Sequence, residues 1–252
     1  MATMTASTGQ SRLRPMLQDL VSEATGREGR TDPVLPGTGG PAGNARLTAW
    51  TGMVLLALIL AELVTLLDVH GMLGWHVAIG ALLGPPAVLK TATTSWRLVR
   101  YYAGSTAYRR AGPPVTLLRL LGPLVVVSTW LLIGSGVLLV LLGPDSSRTT
   151  LFSVLGFRLS WLTVHQGSFV VWGVVTGIHV LSRLAVAYRL TFTRGGSTSR
   201  VPGAGTRVAA LVVTAVLAIG GAVLLVHADG PWASRHDFHG SFRGDHGGGL
   251  DN

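Results

Sequence analysis

The chain of 252 residues contains no cysteine, which excludes disulfides, thiolate-held iron–sulfur clusters and thiol chemistry. Charge is scarce as well: 12% of residues are Asp, Glu, Lys or Arg, about half the share of an ordinary soluble domain. Lys90 is the only lysine. No nucleophile–base pair, phosphate-binding loop or nucleotide fingerprint is present, and no hydrophilic segment is long enough for a soluble catalytic domain. What the chain has in abundance is apolar sequence, 48% of residues with a mean hydropathy of +0.48. It falls into runs of about 18 residues or more, the length that crosses a bilayer of about 30 Å. Such runs must be helices, because in lipid only a helix satisfies every backbone group within itself. The sequence therefore predicts an all-α integral membrane protein.

Five apolar segments set the organisation. They run from Leu47 to Leu67, from Leu73 through WHVAIGALLGPPAVLK, from Thr116 to Leu142, from Leu159 to Tyr188, and from Val208 to Val226. Residues 1–46, rich in Ser, Thr, Gly and Pro, read as a mostly disordered tail without a signal peptide. Residues 47–227 read as a five-span domain, and residues 228–252 as a flexible His- and Gly-rich tail. The net charge of +9 follows membrane topology and does not point to nucleic acid. With five spans, the N-terminal tail and two loops share one face and carry five, six and five basic residues, leaving four for the other face. The positive-inside rule then puts the N-terminus in the cytoplasm and the C-terminal tail outside. Trp75 and Trp161 fall at the outer interface, Trp50 and Trp96 near the inner one, as an aromatic belt requires.

Against this background three histidines stand out. His76 lies about one turn into the second span and His165 about one turn into the fourth, both from the outer face. His179 follows His165 by fourteen residues, about 21 Å down the helix and rotated by only about 40°. Ionisable side chains inside a membrane are rare and usually functional. Two imidazoles on different spans at one depth are what a haem iron needs, one neutral ring from each side, with small residues such as Gly80 and Gly84 to admit the macrocycle. His76 and His165 are thus candidate axial ligands of a haem iron. The competing account has them as structural or proton-handling residues.

A histidine pair fourteen apart on one span resembles the haem-binding helices of membrane-embedded b-type cytochromes. These include di-haem cytochromes b, the gamma subunits of formate dehydrogenase and hydrogenase, and ferric-reductase-like membrane domains. The stretch LLGPPAVLKTATTSWRLVRYYAGSTAYRRAGPP is similar to one in membrane proteins of high-GC Gram-positive bacteria. The resemblance covers residues 47 to 188. It implies a four-helix haem-binding core in a bacterial cell membrane, haem b as cofactor, and electron transfer with quinone or an extracytoplasmic redox protein. Relatives of this kind carry two haems, and here the second would fall at His179. Its partner from the second span should stand at position 90, which is Lys90. Three accounts compete: Lys90 reaches for headgroups, Lys90 ligates a second haem as a neutral amine, or His179 is a proton relay without metal.

Several further residues enter as candidates. Pro85 and Pro86 predict a kink in the second span. Glu62 is an intramembrane carboxylate expected to meet a partner on a neighbouring span. Asp68 and His70 could bond a propionate or the outer histidine. Phe169, Trp172 and Thr176 share the histidine face, and Arg183 follows His179 by four residues where a lipid phosphate would be met. His236 and His239 in RHDFH could hold Cu(II) or Zn(II) loosely. The expectation is a b-type cytochrome; the alternative is a haem-free membrane anchor or assembly protein. The protein is read as an electron-transfer subunit more than a self-contained enzyme.

Overall fold

Every apolar run forms a helix in the computed structural model, which describes residues 32–112, 116–154, 156–192, 201–230 and 232, with residues 18, 21 and 22. The helices are α1 (Gly40–Thr65), α2 (Leu73–Tyr102), the short α3 (Thr106–Arg110), α4 (Thr116–Arg148), α5 (Trp161–Phe192) and α6 (Ala204–Ala228). An antiparallel hairpin joins α4 to α5, pairing β1 (Phe152–Val154) with β2 (Phe157–Leu159). Among the described residues, four segments are long and apolar enough to cross a membrane: Gly40–Asp68, Arg119–Arg148, Trp161–Phe192 and Ala204–Ala228. The second expected span, α2, has 30 residues, but Thr, Ser and Arg replace apolar residues after Lys90, and it falls short of that set.

Four helices close a ring in which α1 packs on α2, α2 on α4, α4 on α5, and α5 on α1. That order sets α2, which carries His76, and α5, which carries His165 and His179, across the ring from each other. α6 lies outside, mainly against α2. Ala49, Thr51, Thr93, Ser128, Ser135, Ser168, Ala218 and Ala222 are buried, whereas Leu181 (77%) and Leu224 (72%) are among the most exposed side chains. Small residues let helix backbones approach closely, and the large aliphatic ones are left for lipid.

The helix α2 retraces α1 along its whole length. At the end beside α3, Asn44 Nδ2 donates to the Thr93 carbonyl at 3.0 Å and Arg97 forms an ion pair with Asp32 at 2.8 Å. At the hairpin end, His76 meets Glu62 and Thr65. Pro85 and Pro86 withhold two backbone donors, yet the helix is continuous across them.

Residues 32–46 depart from the disordered tail expected of them. α1 begins at Gly40, seven residues before the apolar run. Gly39 caps it with φ 82°, Gly203 caps α6 with φ 78°, and Pro41 occupies the first helical turn, a position that tolerates proline. The two glycine caps pack back to back: a Cβ on Gly39 would come within 2.6 Å of Val201 Cγ1, and one on Gly203 within 2.9 Å of the Gly37 carbonyl. Buried Arg207 fastens them, donating to the carbonyls of Thr38 (3.2 Å), Pro202 (2.7 Å) and Val201 (3.0 Å). A polar segment without an apolar face of its own is thus held by partners distant in sequence, which local composition does not reveal.

The third apolar run was expected to stop at Leu142, and α4 breaks at Gly143 (φ 72°, ψ 174°) before Pro144. The break frees the Leu139 carbonyl, which accepts from Ser147 Oγ at 3.4 Å and Trp232 Nε1 at 3.1 Å.

Candidate functional site

The ring interior carries polar groups at two levels, one near the hairpin and one toward α3. At the hairpin level, His76 in the first turn of α2 and His165 in the first turn of α5 reach each other across the ring. Their ring centres are 6.3 Å apart and their planes cross at 85°.

Both rings are oriented through Nδ1. His76 Nδ1 lies 2.8 Å from Glu62 Oε1 and 3.0 Å from Thr65 Oγ1. The Thr65 hydroxyl proton is already donated to the Glu62 carbonyl at 2.7 Å, so its oxygen can only accept from the imidazole. His165 repeats the arrangement on the opposite wall. Its Nδ1 lies 3.0 Å from Ser135 Oγ, whose proton goes to the Leu132 carbonyl at 3.0 Å. These partners assign the proton to Nδ1 in both rings and leave the Nε2 lone pair for a ligand. Such bonds fix tautomer and orientation at metal-bound imidazoles generally.

The donor set decides which metal species the pair fits. A metal bound through Nε2 of both rings at about 2 Å sets the ring centres about 6 Å apart. Among the described residues, no group of three or more His, Asp or Glu could hold a metal ion. Glu62 already engages the other nitrogen of His76. A bare zinc-like ion needs about four ligands, whereas a haem iron brings four of its own and takes two axial imidazoles. The residues present fit haem. Gly136 admits the His165 ring, since a Cβ there would stand 3.1 Å from Cε1.

Sequence reasoning missed Thr65, Ser135 and Gly136, and its glycines fall elsewhere. Gly80 faces Glu62 Oε1, with a Cβ reaching 3.6 Å from it, and Gly84 has nothing within 4 Å. Asp68 accepts from the Gly71 amide at 3.0 Å within its own turn, so the carboxylate on the histidine is Glu62. The other Glu62 oxygen, Oε2, is buried without a hydrogen-bond partner. The signal for Ser135 was its place in Gly-Ser-Gly at 134–136, a small polar residue at the height of His165 on the next span.

The second level holds His179, Thr176, Lys90 and Arg183. His76 and His165 meet across the ring, and Lys90 and His179 follow them by fourteen residues on α2 and α5, about 21 Å further along each helix. Lys90 Nζ crosses to α1 and donates to the Thr48 carbonyl at 2.9 Å, passing Gly52, where a Cβ would come within 2.6 Å of it. Nδ1 of His179 and Oγ1 of Thr176 are buried without a hydrogen-bond partner. Between the levels, Trp172 is buried and its Nε1 donates to Thr129 Oγ1 at 3.1 Å, with Phe169 beside it at 6.2 Å between ring centres. His236 and His239 lie outside the described residues. Comparison with known protein families, with functionally characterised proteins and with experimentally determined structures returned no match.

Proposed function

We propose that this chain is a membrane b-type cytochrome that binds one haem b through His76 and His165. One observation carries the reading: two imidazoles from opposed helices meet with ring centres 6.3 Å apart, each holding its Nδ1 proton on a partner of its own. A bound haem supplies a one-electron carrier. The chain's residues would do the rest. Glu62, Thr65 and Ser135 orient the rings, Gly136 gives His165 room, and the aliphatic exterior keeps the centre in lipid. Electrons would be exchanged with membrane quinone or an extracytoplasmic redox protein, since the described chain holds no second catalytic site.

The five-span topology belongs to the same proposal. The helix α2 pairs with α1 at both ends and in the middle, and α1 is long and apolar enough to cross a membrane. A partner that retraces it reaches both faces. With α2 counted as a span, the segments expected on the α3 side hold sixteen of the twenty basic residues of the sequence, and the positive-inside rule favours that side as cytoplasmic, with the C-terminal tail outside a bacterial cell membrane.

Haem retention by single variants tests the site. His76→Ala and His165→Ala should each lose the sharp reduced bands of six-coordinate haem while keeping helical circular dichroism. Full haem content with unshifted bands in either variant removes that histidine from the site. A wild-type chain that takes up no haem from a haem-replete host would leave a haem-free anchor or assembly protein.

A further inference from the structure

The level toward α3 gathers hydrogen-bond donors on Lys90, Thr176 and His179. Lys90 Nζ makes one hydrogen bond, to Thr48, leaving two of its three protons to give. One turn apart on α5, Thr176 Oγ1 and His179 Nδ1 are buried without partners, and Thr176 is only 8% exposed. Arg183 adds a second positive charge to the level. The described carboxylates are Asp32, Glu62, Asp68, Asp145 and Asp229. Asp32 is paired with Arg97, and the other four lie toward the hairpin end. Buried polar atoms without partners, as at Thr176 and His179, are costly, and in a membrane helix bundle they call for an electron-rich ligand.

We propose that Lys90, Thr176 and His179, with the Arg183 charge beside them, form a binding site for a phosphate oxyanion at the cytoplasmic end of the ring. Four donor protons, two from Lys90 and one each from Thr176 and His179, match the several acceptor oxygens of a phosphate group. Their elements also suit it: α2 and α5 present them from opposite walls, about one turn inside Arg183 on α5, where a lipid phosphate drawn inward would arrive. Basic pockets between membrane helices on the cytoplasmic side take anionic lipid headgroups in this way. The phosphodiester of an anionic lipid and inorganic phosphate share this chemistry. The site lies about 21 Å from the His76–His165 level and does not depend on haem there. Lys90, already bonded to α1, is used here as a donor and not as a haem ligand.

The test uses the full chain in uncharged detergent after lipid removal. Native mass spectrometry follows titration with phosphatidylglycerol or phosphatidylcholine, and thermal unfolding is recorded with and without inorganic phosphate. The site predicts one phosphatidylglycerol retained in preference to phosphatidylcholine. Retention should fall about tenfold or more in Lys90→Met, the loss expected for a charged hydrogen bond. Because Lys90 also ties α1 to α2, His179→Phe and Thr176→Val are the controls that leave that tie intact, and both should weaken retention with the unfolding temperature preserved. Stabilisation by phosphate, lost in the same variants and without selective lipid retention, supports the site with the free anion as its ligand. Equal retention by wild type and all three variants would overturn the proposal, as would no preference for either phosphate source. A second haem per chain that disappears in His179→Phe would also overturn it.

Discussion

Glu62 is the residue on which the properties of the hairpin level turn. Its carboxylate accepts from Nδ1 of His76 at 2.8 Å, and a carboxylate in that place makes a metal-bound imidazole a stronger electron donor. In the proposed cytochrome a stronger donor ligand would favour the oxidised iron, so Glu62 would hold the midpoint potential down. Replacing it by Gln should raise the potential by tens of millivolts, about 59 mV for each tenfold change in relative affinity. A redox titration of E62Q against the parent measures this, and an unchanged or lower potential would contradict the assignment. Ser135→Ala should weaken haem binding about 10–100-fold, the usual cost of losing such an orienting bond, as read by haem transfer to an apoprotein acceptor. The histidines were legible because ionisable groups within apolar helices are few. Thr65 and Ser135 were not, because hydroxyls in membrane helices usually bond their own backbone. Both do so here as well, and only the neighbouring imidazole reveals the second use.

At the scale of elements, hydropathy located all five long helices, and their interiors followed from length. Their ends depended on contacts that periodicity does not carry. The start of α1 at Gly40 relies on a cap packed against the α6 cap and on an arginine more than 160 residues away. Gly203→Ala should therefore destabilise the fold by about 1–2 kcal/mol for the left-handed conformation alone, with more from the contact with the Gly37 carbonyl. Arg207→Ala should cost about 3 kcal/mol, since it orphans three carbonyls at once. Thermal unfolding in detergent checks both, and wild-type stability in either variant would show that the paired caps do not hold the helix ends. The double proline in α2 argued for a kink, and the helix is unbroken through it. At Gly143 the positive φ before Pro144 did break α4, where the sequence pattern had ended the span.

For the whole molecule, the ring order could not be read from hydropathy, which says that helices exist and not which ones oppose each other. The match in depth between His76 and His165 suggested a shared site; only the packing of α2 and α5 across the ring brings the side chains together. Orientation is open to direct measurement because the chain has no cysteine. Single substitutions Ser11→Cys, Ser105→Cys and Ser241→Cys provide probes for a membrane-impermeant maleimide on intact cells. The five-span topology predicts labelling at position 241 and protection at 11 and 105 until the cells are opened. Labelling of 11 and 241 alike would put both termini on one side and reduce the spans to four.

The central claim is that one iron sits between His76 and His165, and the most direct measurement is the reduced-minus-oxidised spectrum of the purified chain with haem counted per polypeptide. The account predicts sharp reduced bands of a low-spin b haem at about one haem per chain. A colourless protein from haem-replete cells would contradict it, as would a haem spectrum unchanged when both histidines are replaced.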